Sequence, residues 1–206
     1  MRTFRVNEIF LSLQGEGANA GQAAVFIRLS GCNLRCPFCD TDFKEHIVMD
    51  LPAIINHVRE SCNGYTMPRW CVITGGEPSL QPIQALVEPL HELGMKVAVE
   101  TNGTREIPSE IDFVTVSPKF PFVEKEQHAD VVLKRANEVK VVMTEDISVE
   151  TIRGYEAIKA GYYFIQPCDT GDAVKNKAIM QRAVEFIKYH PNWQLSLQQQ
   201  KILNVR

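Results

Sequence analysis

Three cysteines lie within eight consecutive residues of the chain, at Cys32, Cys36 and Cys39. The spacing of three and then two intervening residues lets one loop direct three thiolates at one metal centre. Thiolates are common ligands of iron–sulfur clusters, and three of them would hold three corners of an iron–sulfur cube. The fourth iron would have no protein ligand and could bind a small chelating molecule. The loop therefore predicts a cluster with one reactive iron.

Two other interpretations of these cysteines fit less well. A structural zinc site could take His46 or Cys62 as its fourth ligand, but such sites usually combine two ligand pairs separated by a longer stretch. The chain has no second pair. A thioredoxin-like redox pair formed by Cys36 and Cys39 would leave Cys32 unexplained. The dispersed cysteines are expected to be small buried or turn residues, and they are Cys62, Cys71 and Cys168.

Polar turns that contain glycine or proline follow nearly every predicted strand. In parallel α/β folds, ligands bind at the carboxyl ends of the strands, where loops vary without disturbing the core. We therefore expect one composite site built from these turns. They comprise the cysteine loop and residues 74–78, 100–103, 117–119, 166–169 and 198–201.

The elements that must position these turns alternate between strands and helices. Hydrophobic patterning predicts strands at residues 23–29, 71–74, 96–100, 112–116, 138–143, 162–165 and 193–197. It predicts a helix over 51–62 capped by Asp50, and a second that begins at Ser79 and is closed by Gly94. Further helices are expected at 149–160 and 173–189.

Strands that alternate with crossover helices indicate a parallel sheet. Residues 101–111 are too few and too interrupted by proline and glycine to form a full crossover helix. We therefore predict an α/β fold: a modified, partial (β/α) barrel of mostly parallel strands with a reduced helix complement, open on one side. An ordinary doubly wound α/β domain remains the alternative from the elements alone.

Composition limits the class of protein. The 206 residues are 45% hydrophobic and 23% charged, which suits one packed domain over residues 1–206. A net charge of −3 with scattered Lys and Arg argues against a nucleic-acid surface. No apolar run approaches the roughly 20 residues of a membrane span, and no signal peptide is evident. We expect a cytoplasmic protein with neither a nucleic-acid nor a membrane partner.

Two motifs together resemble the radical S-adenosylmethionine (SAM) superfamily. The cysteine loop matches its CxxxCxxC signature, including the aromatic Phe38 before the last cysteine. Residues 74–78, Thr-Gly-Gly-Glu-Pro, match its GGEP motif one βα unit later. Further segments resemble the 7-carboxy-7-deazaguanine synthases, from end to end of the chain: residues 7–17, 28, 39–41, 100–103, 117–119 and 193–204.

The resemblance implies a radical ring contraction in the queuosine and 7-deazapurine pathway. The substrate would be 6-carboxy-5,6,7,8-tetrahydropterin, and the products 7-carboxy-7-deazaguanine and ammonia. A reduced 4Fe–4S cluster would cleave SAM, and the resulting 5′-deoxyadenosyl radical would take a hydrogen atom from C6 of the pterin. The hydrogen would later return, so that SAM acts catalytically. Mg²⁺, a flavodoxin-like electron donor and a homodimer are also implied.

The resemblance further assigns roles to individual residues. Cys32, Cys36 and Cys39 would hold the cluster. The backbone beside Gly76, which has no side chain, would meet the methionine moiety of SAM. The remaining SAM contacts would come from the strand ends and the cysteine loop: Phe38, Cys39, Asp40, Ser117, Pro118, Lys119, Gln166, Pro167, Cys168 and Asp169.

The pterin would contact residues near the start of the chain and the ends of two strands. Leu13, Gln14 and Gly15 match the family's pterin-contacting segment, and Thr74 matches another contact. The guanidinium of Arg28 can make a bidentate contact with a carboxylate. Thr41 matches the family's Mg²⁺ ligand, and Arg206 would present the terminal carboxylate to the substrate.

One position departs from the family's pattern. The tail of the family often reads Gln-Thr-His-Lys, whereas this chain has Gln198, Gln199, Gln200 and Lys201. Gln200 cannot transfer a proton as histidine could, so no side chain is assigned as a catalytic acid or base. Two alternatives remain: a radical SAM activase acting on a partner protein, and a non-catalytic iron–sulfur or zinc redox module.

Overall fold

The computed structural model describes residues 2–42, 45–120 and 122–205. In these ranges the chain forms one nine-stranded sheet and five α-helices. The strands are β1 (Thr3–Leu13), β2 (Ala23–Leu29), β3 (Ile47–Asp50), β4 (Trp70–Gly75), β5 (Lys96–Thr101), β6 (Phe113–Val116), β7 (Glu138–Met143), β8 (Tyr162–Pro167) and β9 (Trp193–Leu195). The helices are α1 (Leu51–Ser61), α2 (Gln84–Glu92), α3 (Val149–Gly154), α4 (Ala173–Tyr189) and α5 (Gln199–Leu203).

The sheet has the order β3-β1-β2-β4-β5-β6-β7-β8-β9. Every pair from β2 to β9 is parallel, whereas β1 is antiparallel to both β2 and β3. With β3 and β9 at its two edges, the sheet is a partial barrel of mostly parallel strands, which confirms the predicted fold class. The described residues 102–112 between β5 and β6 contain no helix, also as predicted.

Two strands were missed by the sequence patterns, β1 and β3. β1 changes register between Val6 and Glu8, so its apolar alternation is interrupted where β2 pairs with it. Because β1 runs antiparallel, its last residue, Leu13, pairs with Ala23 at the start of β2. The segment after β1 therefore does not lie at the carboxyl edge of the parallel strands.

Alternate residues of the strands divide between two sides of the sheet, as the period of two requires. On one side β2, β4 and β5 pack with α1 and α2, and β6 to β9 pack with α3 and α4. The other side carries a small apolar cluster of Phe10, Ala24, Phe26, Trp70, Val72 and Ala98. Toward the carboxyl ends of β2 and β4 to β8, this side carries polar residues: Arg28, Thr74, Glu100, Thr115, Lys140 and Gln166. Glu138 of β7 accepts a hydrogen bond from Thr115 on the same side.

Several predicted helix bounds agree with the structure. Helix α4 spans 173–189 as predicted, and its N-cap Asp172 accepts hydrogen bonds from the backbone of Val174 and Lys175. Helix α1 ends one residue early, and Asp50 caps it by accepting from Ala53 N at 2.9 Å. Among the described residues, no helix is long and apolar enough to cross a bilayer.

Several predicted bounds were wrong. Ser79 does not cap a helix: it lies in a short 3₁₀ turn, Pro78–Leu80, and α2 begins only at Gln84 because Gln81, which precedes Pro82, is extended. The helix predicted over 149–160 ends at Gly154, a weak helix former, and continues as a 3₁₀ turn. The last strand ends at Leu195 rather than residue 197.

Candidate active site

A cavity of about 760 Å³ lies on the polar side of the sheet. Its walls include the cysteine loop, the segment after β1, the carboxyl ends of the parallel strands and the start of α5 with the residue before it. Most of the residues singled out from the sequence line it: Leu13, Gln14, Gly15, Arg28, Cys32, Cys36, Phe38, Cys39, Asp40, Thr41, Thr74, Gly76, Ser117, Lys119, Gln166, Pro167, Cys168 and Asp169. Pro118 is buried and does not line the cavity, and Arg206 lies outside the described residues.

The three cysteines of the loop are free thiols that face this cavity. Cys32 and Cys36 are partly buried and Cys39 is exposed. The backbone N–H of Leu34 points at Cys32 Sγ over 3.4 Å, as a donor to a cluster thiolate would. Burial raises the pKa of Cys36 to about 11, although the charge of Lys119 opposes the shift. The other three cysteines are buried, as predicted.

Gly76 lies where the Thr74–Pro78 turn meets the cysteine loop. A Cβ at Gly76 would come within 2.1 Å of Gly31 O and 3.1 Å of Cys32 N. The adjacent Glu77 N donates to Gly31 O at 2.8 Å. Glycine is therefore required here because the two loops approach each other at the backbone, whatever ligand they share.

The carboxylate of Glu77 joins the ends of β4 and β5. It is 1% exposed and accepts hydrogen bonds from Thr101 Oγ1 and Asn102 N, both at 2.7 Å, and from Ser79 N at 3.0 Å. Asn102 in turn donates to Asn33 Oδ1 in the cysteine loop at 3.0 Å. This chain of hydrogen bonds holds the GGEP turn, the end of β5 and the cysteine loop in one rigid arrangement.

Two predicted pterin contacts converge on Glu100, which the sequence analysis placed in the composite site without a role of its own. Gln14 Nε2 donates to Glu100 Oε1 at 3.1 Å, and Thr74 Oγ1 donates to Glu100 Oε2 at 2.9 Å. Gln14 Oε1 accepts from Glu16 N at 3.2 Å, so both ends of this amide already have protein partners. Glu100 therefore fixes the orientation of Gln14 and Thr74 at the cavity wall.

Arg28 is held by an acidic partner on the neighbouring strand. Its Nε donates to Glu8 Oε1 at 2.8 Å, and the guanidinium lies 5.8 Å from the ring centroid of Phe10. Both members of the ion pair are about one-quarter exposed, at 23% and 25%. Pairing through Nε sets the plane of the guanidinium at the cavity wall.

Buried charges form a second group of site residues that sequence reasoning missed. Lys140 Nζ contacts Glu16 Oε2 directly and lies 3.9 Å from Glu100 Oε1. Burial by itself would raise the pKa of Glu16, but Lys140 and the amides of Gln198 and Gln200 outweigh it and lower the pKa to about 2. Burial would lower the pKa of Lys140, yet the surrounding carboxylates raise it.

Glu138 completes this group beside Lys140 on β7. It accepts from Ala18 N at 2.9 Å and from Thr115 Oγ1 at 3.0 Å, and burial raises its pKa. The available signal was the Glu-Val-Lys sequence at 138–140, two charges two residues apart in a strand that is otherwise apolar. Such charges share one face, and a buried face must offer them partners.

Gln198 and the start of α5 cover this charged group. Gln198 Nε2 and Gln200 Nε2 both donate to Glu16 Oε1 at 3.1 Å, and Gln199 N donates to Gly15 O at 3.0 Å. A Cβ at Gly15 would lie 1.7 Å from Gln200 Oε1, so only glycine leaves room for the glutamine. Gln200 thus packs against Gly15 and donates a hydrogen bond to Glu16.

The predicted SAM contacts near the cysteines are held by neighbouring side chains. Phe38 packs edge-on against Phe122 with 4.8 Å between ring centroids. Lys119 Nζ donates to Ser117 Oγ at 2.5 Å, and burial lowers the pKa of Lys119. Gln166 Oε1 accepts from Ser196 Oγ at 3.1 Å. In the loop after β8, Asp169 Oδ1 accepts hydrogen bonds from Gly171 N and Asn176 Nδ2.

Comparison with known proteins gives a consistent result. The profile of the Radical SAM superfamily matches residues 26–140, which include the cysteine loop, the GGEP turn and Lys140. A 7-carboxy-7-deazaguanine synthase from Bacteroides thetaiotaomicron is 44% identical over 204 residues, with 98% of each chain covered. The enzyme of that name from Burkholderia multivorans is 37% identical, with coverage of 98% of this chain and 99% of the relative.

The fold is also similar to a solved structure. The crystal structure of QueE from Escherichia coli aligns with a TM-score of 0.78 and 28% sequence identity. The alignment covers 96% of this chain and 94% of that one. The similarity in sequence and the similarity in fold therefore both extend over nearly the whole chain.

Proposed function

Because the chain belongs to the 7-carboxy-7-deazaguanine synthases of the radical SAM superfamily, we infer that its cavity contracts the ring of 6-carboxy-5,6,7,8-tetrahydropterin. The products are 7-carboxy-7-deazaguanine and ammonia. One observation carries this inference: the three cysteines and the polar residues of the strand ends line a single cavity of about 760 Å³. That volume suits two small ligands side by side.

The cysteine loop fits a 4Fe–4S cluster. Three free thiols on one loop face the cavity, and a backbone N–H already points at one of the sulfurs. Cys32, Cys36 and Cys39 would hold three irons and leave the fourth open to the amino and carboxylate groups of SAM. The cluster, once reduced, supplies the electron that cleaves SAM.

We propose that the SAM side of the cavity is formed by the residues that surround the cysteine loop. Asp40, Ser117, Lys119, Gln166 and Asp169 offer hydrogen-bonding groups to ribose and adenine, and the Gly76 backbone borders the methionine end. Pro118 and Pro167 stiffen their loops, while Phe38 and Cys168 supply apolar contact. Water would be excluded by the same packing that holds Phe38 against Phe122.

We propose that the pterin occupies the other side, against Leu13, Gln14, Gly15, Arg28 and Thr74. Arg28, oriented by Glu8, would grip the carboxylate of the substrate. Glu100 would hold Gln14 and Thr74 toward the ring, and the terminal carboxylate of Arg206 would contribute a further contact. These residues bind and orient the ring so that its C6–H faces the SAM side.

Thr41 would bring Mg²⁺ to the pterin. It lines the cavity and offers one hydroxyl oxygen, and magnesium prefers six oxygen ligands in an octahedral shell. Substrate oxygens and water would therefore complete the shell, so Mg²⁺ would bind together with the pterin.

We further propose a flavodoxin-like electron donor, a homodimer and a cytoplasmic location. Cys39 is exposed, which would let an external donor approach the cluster. Sedimentation of the purified protein would test the dimer. Reduction of the cluster by a purified flavodoxin would test the donor.

The decisive experiment is anaerobic mass spectrometry of one reaction that contains the reconstituted protein, a reductant, SAM, Mg²⁺ and 6-carboxy-tetrahydropterin. We expect 7-carboxy-7-deazaguanine. Formation of 5′-deoxyadenosine alone would keep the radical chemistry and overturn the substrate. Cys36→Ala should lose iron and product, whereas Cys62→Ala, a buried cysteine of the packed core, should keep both.

A further inference from the structure

Lys201, on helix α5, bridges two carboxylates from separate loops. Its Nζ lies 3.2 Å from Asp40 Oδ2 and 3.2 Å from Asp169 Oδ2. Asp40 follows the last cysteine of the cysteine loop, and Asp169 lies just after β8. One ammonium group therefore joins the cysteine loop, the loop after β8 and the C-terminal segment.

This junction lies at the cysteine end of the cavity, whose walls include all three residues. Gln198 reinforces it, since its Nε2 donates to Asp40 Oδ2 at 3.2 Å as well as to Glu16 Oε1 at 3.1 Å. Residues 198–201 therefore cross the cavity from the buried Glu16 to the more exposed Asp40 and Asp169. This segment is therefore part of the cavity wall around any ligand that binds beside the cysteines.

We propose that Lys201 is a positioning residue whose bridge to Asp40 and Asp169 latches the C-terminal segment over the ligand bound beside the cysteines. The inference rests on the proposed function for the identity of that ligand, SAM. Lys201 acts through the two carboxylates: it fixes their positions, and it slows escape of the ligand while the segment is closed.

The exposure of the three side chains makes the latch reversible. Lys201 is 40% exposed, Asp40 57% and Asp169 41%. Pairs this exposed are weak and are screened by salt, so the bridge opens readily to admit a ligand. The hydrogen bonds to Glu16 are less exposed and hold the start of the segment when the bridge opens.

The test compares Lys201→Met, which keeps the aliphatic stem but removes the charge, with Lys201→Arg, which restores it. The cluster-loaded protein is titrated with SAM without pterin, and the dissociation rate of SAM is measured. We expect Lys201→Met to weaken SAM binding about three- to tenfold, mainly through faster dissociation, and Lys201→Arg to recover most of the loss. Amide hydrogen exchange in α5 should rise in the SAM complex of Lys201→Met.

Salt gives a second readout that a purely structural role would not move. SAM affinity of the unsubstituted protein should fall as ionic strength rises, and Lys201→Met should be much less sensitive. Lys188→Met is the matched control, because Lys188 pairs with Glu185 on the exposed face of α4, remote from the cavity lining. Equal SAM affinity in Lys201→Met and Lys188→Met would overturn the latch.

The outcomes separate this inference from the proposed function. If Lys201→Met loses SAM affinity while the unsubstituted protein makes no 7-carboxy-7-deazaguanine, the latch stands and the proposed substrate fails. If the pterin is converted but SAM binding and α5 exchange are indifferent to Lys201, the proposed function stands and the latch is wrong. The double variant Asp169→Asn/Lys201→Met checks the coupling, because a bridge between the two side chains makes their effects on SAM affinity non-additive, whereas additive effects would contradict it.

Discussion

Lys140 and Glu16 form a buried ion pair although 124 residues separate them in the chain. Their side chains are 7% and 14% exposed. Lys140 lies on β7, and Glu16 lies in the segment after β1, so the pair attaches that segment to β7 on the polar side of the sheet. Glu16 also accepts hydrogen bonds from the amides of Gln198 and Gln200, so this pair supports the start of α5.

We expect Lys140→Met to be strongly destabilising, because it leaves the carboxylate of Glu16 buried without a counter-charge. Removing one partner of a buried pair costs about 3–5 kcal/mol. Urea unfolding of the apoprotein measures this free energy. The double variant Glu16→Gln/Lys140→Met should recover part of it, and an additive double variant would show that the two charges are not coupled.

The same pair predicts how stability depends on pH. The pKa of Glu16 falls from 4.5 to about 2 on folding, so its contribution is fully present above pH 4.5 and is lost as the pH falls toward 2. The free energy of unfolding should therefore drop more steeply below pH 4.5 in the unsubstituted protein than in Glu16→Gln. Parallel pH curves for the two proteins would contradict the assignment.

Glu8 should act on the substrate through Arg28. Glu8→Gln removes the charge that orients the guanidinium, and we expect the KM for the pterin to rise about three- to tenfold with SAM binding unchanged. Arg28→Lys should raise the same KM further, because an ammonium cannot make a two-pronged contact. Glu185→Gln, in an exposed pair on α4, is the control. An unchanged pterin KM in Glu8→Gln would remove this positioning role.

Gly76→Ala tests the close approach of the GGEP turn and the cysteine loop. Its Cβ would meet Gly31 O at 2.1 Å, so the loops must separate, and we expect loss of SAM binding and less iron per chain. Gly154→Ala is the control, since a Cβ there has no neighbour within 4 Å and alanine favours the helix. Normal SAM affinity in Gly76→Ala would show that the two loops can accommodate the added methyl group without losing the SAM site.

Thr41 can be tested by the response of the rate to Mg²⁺. Thr41→Val keeps the shape of the side chain but removes the hydroxyl oxygen, so stimulation by Mg²⁺ should disappear. Thr41→Ser should keep it. The rate of pterin conversion is measured against Mg²⁺ concentration, and equal stimulation in Thr41→Val would remove Thr41 from the metal site.

Local sequence signals were sufficient wherever the determining interactions are local. The spacing of Cys32, Cys36 and Cys39 placed three thiols in one loop, since the loop itself brings them together. The bounds of α4 were predicted from the sequence pattern, and the structure adds that Asp172 caps the helix. The parallel sheet followed from alternation of strands and helices. The turns at the strand ends therefore collect at one cavity, as predicted.

Tertiary structure decided what depends on residues far apart in the chain. The segment after β1 brings Gln14 and Glu16 to the polar side of the sheet, where Glu16 meets Lys140 of β7. No local pattern in the sequence predicted that β1 runs antiparallel to β2. Burying a charge such as that of Lys140 or Glu16 costs free energy unless the two side chains pair. The partner of each residue therefore cannot be predicted from its local sequence. The sequence by itself determined the cysteine loop and the family, whereas the fold decided which charged residues enclose the cavity. The reason is that a buried charge needs a partner close to it in space, whatever their separation in the chain.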